Sequence, residues 1–242
     1  MFSNSKKTFN AHLGDLRLFL ILNIVIFLII FGICFYYADY LFFLLAKPLL
    51  ASLEKNNIYT NFIITDITEV FFSQLKIAFY FAAIGFTPIA LLLGILFLYP
   101  AFNKYSKKII ITTVCLIPVL FCLGFISTYY FGLGVIWDFF IKFSLKNTDI
   151  RFLPSVADYI SLVLKIIFAT GLAFELPVVI LILGVLNFIT PKSIIKYGRY
   201  AIVGAFIIGA IFTPPDPLSQ IMMAGVLIVL YYLSYFLLKI LR

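Results

Sequence analysis

The 242-residue chain carries ten carboxylates, one histidine and three cysteines, so few side chains are available for chemistry. The most unusual is Glu175, in Phe174-Glu175-Leu176-Pro177, with no other charge between Ile166 and Pro191. A carboxylate at bilayer depth costs on the order of 2.5–3.5 kcal/mol on insertion scales, so such a group faces a cavity or a partner. The reading that competes with this is a protonated Glu hydrogen-bonded inside a bundle. Pro177 cannot donate to the carbonyl one turn back, which predicts a kink beside the acid. Asp15 lies two residues before Arg17 and three before a long apolar run. An acid there serves ordinarily as a first-turn or cap residue, but it is also suited to holding an incoming cation. The lone histidine, His12, precedes the same run. A bis-histidine haem, a zinc-protease motif or a buried Ser–His pair is thereby excluded, and no Gly-rich phosphate loop is present. Cys34, Cys115 and Cys122 all lie in apolar stretches and read as small packing residues. Neither an enzyme nor a metal or cofactor is expected.

The elements that must position these groups are membrane helices. Hydrophobic residues make up 64% of the chain against 12% charged, and the mean hydropathy is +1.16. A water-soluble domain is about half apolar and a quarter charged. With about 20 residues per crossing, the apolar runs give six spans, at about 18–38, 68–98, 109–137, 156–187, 199–213 and 217–238. The result is an all-α, polytopic single domain covering 1–242. The fifth run is short for a span and can also be read as a re-entrant arm. An N-in, C-in orientation puts eleven Lys and Arg on the cytoplasmic side and seven on the other, with Asp15 the only cytoplasmic acid. The net charge of +8 is thus mostly a sorting signal rather than a nucleic-acid site. The outer loops, about 39–67 and 138–155, are expected to fold into a cap of short amphipathic segments. Lys76 and Lys165 lie about two turns into their helices and are read as snorkelling; local pairing with Glu69 and Asp158, seven residues earlier, is feasible but loose.

Five segments, in order, resemble one family. His12-Leu13-Gly14-Asp15-Leu16-Arg17 resembles the His-Leu-x-Glu-Leu-Arg signature of TatC, the core of the twin-arginine protein translocase. Thr68-Glu69-Val70-Phe71-Phe72 with Lys76 is similar to the start of that family's second helix, and Phe174-Glu175-Leu176-Pro177 to its fourth. Arg199-Tyr200-Ala201-Ile202-Val203 is similar to the entry to the fifth. Thr213-Pro214-Pro215-Asp216 with Ser219-Gln220 is similar to the turn into the sixth. The sequence departs from the pattern in several places. Asp15 replaces a Glu, Ser106 stands where the first cytoplasmic loop carries a second arginine-recognising Glu, and Gly134 replaces a Pro. In the sixth helix Val226 and Tyr232 stand near a missing Pro and Glu.

The resemblance implies a glove-shaped bundle of six helices that binds twin-arginine signal peptides on its cytoplasmic face. His12, Asp15, Arg17 and Ser106 would form that site, because carboxylates hold guanidinium forks bidentately. Glu175, Pro177 and Gln220 would contact single-span TatA- or TatB-type partners within the membrane. Pro48, Glu69, Phe72, Lys76, Pro214 and Asp216 would be structural positions. The implied assembly is a homo-oligomeric receptor complex that moves folded proteins with the proton-motive force. A composition rich in Phe, Tyr, Ile and Lys suits an AT-rich, organelle-encoded gene and a mitochondrial inner membrane; a bacterial cytoplasmic membrane is the alternative. Two rival functions also fit the spans: a proton-coupled small-molecule or ion transporter using Glu175, and a structural subunit of a respiratory complex. No internal repeat supports the transporter.

Overall fold

In the computed structural model the described residues are 9–58, 60–98, 107–144 and 153–241. Among them nine α-helices follow in order: α1 (Phe9–Tyr36), α2 (Ala38–Lys55), α3 (Glu69–Leu98), α4 (Lys107–Ser127), α5 (Leu133–Ser144), α6 (Val156–Phe174), α7 (Leu176–Val185), α8 (Pro191–Phe212) and α9 (Pro217–Leu241). A π-helical turn, Thr128–Gly132, joins α4 to α5. The only strand-like pairing among the described residues is the single bridge between Ile63 and Ser155.

Among the described residues six segments are long and apolar enough to cross a bilayer: Arg17–Tyr36, Glu69–Ile95, Thr112–Ser144, Val156–Gly184, Pro191–Phe212 and Pro217–Ile240. An even number of crossings returns both chain ends to one side. The face opposite the ends carries α2 and the loops before α3 and α6, and is called the cap side below.

The fourth span is the hub. Helix α6 packs against α2, α3, α4, α8 and α9, and its window is the most buried of the six, at 61%. Close approach to α4 depends on glycines. A Cβ on Gly171 would lie 3.1 Å from the Phe121 ring, and one on Gly124 would lie 2.9 Å from Phe174. Small residues at such crossings let packing replace the hydrophobic drive that lipid cannot supply. At the other extreme, no residue of the first span's window is buried. Helix α1 leans on α3 through the Phe27 ring, 5.6 Å from both Phe79 and Phe86.

Several boundaries differ from those expected. Helix α1 begins at Phe9, so the charged signature is continuous with the first span rather than ahead of it. Nothing between Asn10 and Arg17 breaks a helix: there is no proline and only one glycine. The third span continues to Ser144, past the expected end near 137, because the π turn absorbs the irregularity. The fifth span begins at Pro191, not 199, and the re-entrant alternative falls away. Its 22 residues reach about 33 Å at 1.5 Å per residue. The start signal is local: the Thr190 hydroxyl accepts from the Ser193 amide at 3.2 Å, and Pro191 follows the cap. Lys192, Lys196 and Arg199 therefore belong to the first turns of α8. A hydropathy reading misplaces them in a loop.

Of the expected cap, the 39–67 segment contributes α2, whose buried residues Leu45, Ala46, Leu49, Ser52 and Leu53 mark one amphipathic face, whereas 138–144 continue the third span and 145–152 lie outside the described residues. The cysteines are less buried than the packing reading required: Cys34 is half-buried, while Cys115 and Cys122 are exposed on α4.

Candidate functional site

The cap is tied to the spans by a few polar contacts. Pro48 sits inside α2 and has no N–H, so the Leu44 carbonyl four residues back lacks its helical donor. The Tyr129 hydroxyl, from the π turn, donates to that carbonyl at 2.8 Å. The Tyr159 hydroxyl of α6 donates to the next one, Leu45, at 2.6 Å. The structural position expected at Pro48 thus has a physical basis: the proline frees an acceptor that a neighbouring span then satisfies.

Glu69 joins the loop before α3 to the start of α6. One carboxylate oxygen accepts from the Thr65 amide at 2.5 Å, the Thr65 hydroxyl at 2.8 Å and the Asp66 amide at 3.2 Å. The other accepts from the Ser155 hydroxyl at 2.9 Å and the Ala157 amide at 2.7 Å. Its oxygens are thereby taken, and of the two readings of Lys76 the local pair with Glu69 does not form. Lys76 Nζ instead donates to Ser161 Oγ on α6 at 3.0 Å. Phe72 points outward and is 53% exposed, so it supplies surface rather than core. Further ties are Gln74 Nε2 to Asp39 at 2.6 Å and Lys55 Nζ to Asp138 at 2.5 Å. Sequence reasoning does not single out Tyr129, Tyr159, Ser155 or Asp138. The signal for one of them is the carbonyl that Pro48 must orphan.

On the turn between the last two spans, Asp216 Oδ1 accepts from the Ser219 amide at 2.8 Å and so caps α9. Pro214 holds that turn, its carbonyl accepting from the Asp216 amide at 2.7 Å. Gln220 donates its side-chain amide to the Phe206 carbonyl at 3.2 Å, closing the α8–α9 hairpin. Gly209 lets the two helices meet there: a Cβ would lie 3.1 Å from the Gln220 carbonyl oxygen.

Glu175 is the hinge of the fourth span. It ends α6 and precedes α7, with φ −80° and ψ −8°, and Pro177 lies in the first turn of α7. Its side chain is 3% exposed, and neither carboxylate oxygen has a hydrogen-bond partner among the described residues. Its surroundings are apolar: Ala173 packs with Met223, Ala224 and Leu227 of α9, and Val178 with Ile117 and Leu120 of α4. Gln220 is directed to Phe206, so the structure does not join the two polar residues of this region. A buried acid without a partner must be neutral or receive a donor from outside the chain.

At the chain-terminal side, His12, Asp15 and Arg17 fall in the first turns of α1, three residues and then two apart. Asp15 is the seventh residue of that helix, beyond the first turn, so the capping reading does not apply. Arg17 is exposed. Ser106 lies outside the described residues.

Known proteins share this sequence and this architecture. The sequence model of the family described as Sec-independent protein translocase protein (TatC) matches residues 11–225. The protein of that name from Rickettsia prowazekii is 36% identical over 229 residues, covering 94% of this chain and 90% of the relative. The Aquifex aeolicus protein is 37% identical over 234 residues, with 95% and 93% covered. The Escherichia coli one is 28% identical over 226 residues, with 93% and 86% covered. A crystal structure of a twin-arginine translocase receptor, TatC, superposes with a TM-score of 0.82 at 36% identity, over 95% of this chain and 98% of that one. With the same six-span architecture and a match over nearly its whole length, the chain belongs to the TatC family and is an integral-membrane subunit of the twin-arginine protein translocase.

Proposed function

We propose that this subunit binds twin-arginine signal peptides at the face bearing the chain ends, which we take as cytoplasmic. With single-span TatA- or TatB-type partners it then moves folded proteins, driven by the proton-motive force. Asp15 holds a signal-peptide arginine, with His12 and Arg17 in the adjoining turns of α1 and Ser106 of the first cytoplasmic loop as a second contact. An acid two turns into a helix, on a side otherwise rich in Lys and Arg, offers the charge a guanidinium fork needs. Several copies form the receptor complex. The membrane is an energised one, bacterial cytoplasmic or mitochondrial inner; the Phe-, Tyr- and Ile-rich composition favours an organelle-encoded copy.

The observation that carries this reading is Glu175, buried at a helix break with no partner among the described residues. A polar side chain on a small partner helix completes it when the contacts that bury Glu175 and Pro177 part to admit that helix. Gln220 positions the neighbouring hairpin. Membrane hydrogen bonds are worth only about 0.6–2 kcal/mol, so Glu175→Gln retains assembly while Glu175→Ala weakens it. The measurement is site-specific crosslinking between the fourth span and the partner helix in native membranes, alongside export of a twin-arginine precursor. Unchanged crosslinking and export in Glu175→Ala overturn the assignment and leave Glu175 a protonated core residue.

A further inference from the structure

The π turn at Thr128–Gly132 borders a groove of about 690 Å³ on the cap side, between α2 and the outer end of the third span. Its walls include Lys47, Ser52 and Lys55 from α2, and Tyr129, Tyr130 and Asp138 from the facing segment. Three charged groups line it. Lys55 is paired with Asp138 at 2.5 Å, while Lys47 is exposed and has no ion-pair or hydrogen-bond partner among the described residues. Two positive charges against one negative leave the groove with one net positive charge. Nothing in the translocation reading uses it.

The height of the groove in the bilayer follows from the third span. From Thr112 to Ser144 it has 33 residues, about 50 Å at 1.5 Å per residue, against a hydrocarbon core of about 30 Å. Twenty residues counted from Lys108, the last charge at the other end, bring the chain to Ser127. Tyr129 and Tyr130 therefore stand at the lipid–water boundary, where aromatic residues concentrate. Asp138 lies two turns further out. Tyr130 and Phe131 are 71% and 73% exposed, so the groove opens past two aromatic rings toward lipid.

We propose that this groove is a binding site for an anionic phospholipid of the cap-side leaflet. The headgroup phosphodiester sits against Lys47, beside the Lys55–Asp138 pair, and the acyl chains run inward past Tyr130 over the exposed Ile126 and Leu123. A single phosphodiester matches the single uncompensated charge, and the aromatic mouth matches the glycerol and ester level of a lipid. The π turn brings Tyr129, Tyr130 and Phe131 to the groove wall. The bound lipid wedges the cap helix against the third span, fixing the face opposite the signal-peptide site.

The test uses the full chain reconstituted in phosphatidylcholine nanodiscs doped with a photoreactive phosphatidylglycerol, with crosslinked peptides mapped by mass spectrometry. Saturable labelling of the segment around Leu123 to Tyr130 is expected. Lys47 is exposed, so its variants fold. Reversing one charge at a membrane surface lowers labelling by about tenfold or more in Lys47→Glu. Lys47→Arg keeps it within about twofold on the same scale. Equal labelling of the parent and Lys47→Glu overturns the proposal, as does equal labelling by a photoreactive phosphatidylcholine. Loss of labelling on adding millimolar inorganic phosphate overturns the lipid assignment and makes the groove a free-phosphate site. None of these readouts depends on Glu175 or Asp15, so the outcome is separable from that of the translocation reading.

Discussion

The pairing of Pro48 with Tyr129 can be tested as a thermodynamic cycle. In the parent the Leu44 carbonyl has no helical donor and accepts from the Tyr129 hydroxyl at 2.8 Å. Tyr129→Phe removes that hydroxyl and leaves the ring in place, where it stacks on Phe125 with centroids 6.1 Å apart. An acceptor stripped of its partner in a buried setting costs about 1–3 kcal/mol. Leu44 is half-buried, which places the expected loss near the lower end, at about 1–2 kcal/mol. Pro48→Ala changes the arithmetic: the alanine introduced there has an N–H that reaches the Leu44 carbonyl within the helix, and the hydroxyl becomes redundant. In that background Tyr129→Phe costs less than about 0.5 kcal/mol, a coupling of about 1 kcal/mol. Reversible unfolding of the four purified proteins in mixed micelles measures the cycle. Equal costs of Tyr129→Phe in both backgrounds refute the idea that the proline's missing donor is what docks the cap.

Four other outcomes follow, the first two from named contacts and the last two from the proposed signal-peptide site. Glu69→Gln keeps the shape but turns an amide N–H₂ in place of one acceptor toward the donors of Thr65 and Asp66, or of Ser155 and Ala157; the expected loss is about 2–4 kcal/mol, with earlier proteolysis in residues 60–68. A loss under about 1 kcal/mol would show those bonds to be replaceable by water. Asp216→Ala removes the cap of α9 and lowers stability by about 1 kcal/mol in the same unfolding measurement, whereas Asp216→Asn loses less. Asp15→Asn weakens crosslinking of a twin-arginine peptide while membrane insertion stays intact. Ser106→Glu strengthens that crosslinking most at low salt, where charge pairing is least screened; a neutral result there sinks the role given to position 106.

How legible each feature is in the sequence depends on the range of the interaction behind it. Six spans, the cap and the break at Glu175 follow from runs of apolar residues and from Pro177, which act locally. The fifth span starts earlier than hydropathy indicates because Lys192, Lys196 and Arg199 lower the average, although Thr190 and Pro191 spell out a helix start. The partners of Glu69 are not legible. Its nearest basic neighbour on the helix is Lys76, yet its ligands include Ser155 and Ala157, 86 and 88 residues away. Seeing them requires knowing that α3 and α6 are adjacent. The same holds for Lys55 and Asp138, 83 residues apart. Of the site, the isolation of Glu175 is visible in the chain, while the lack of a donor for it among the described residues emerges only from the packing.

The one-sided seating of the first helix, on α3, has a consequence for biogenesis. No residue of its window is fully buried, it lies along α3 with little contact elsewhere, and Asn23 bonds its own helix at Phe19. An uncharged apolar run of that length inserts on its own transfer free energy as it leaves the ribosome, and its packing on α3 is added later. It can therefore sit in the bilayer alone while the rest of the 242 residues are made, and anchor the growing chain in one orientation. The fourth helix is the reverse case, since its buried acid can be tolerated only once its neighbours have arrived. Synthesis order and packing order thus run in the same direction, from an autonomous leader to a dependent centre.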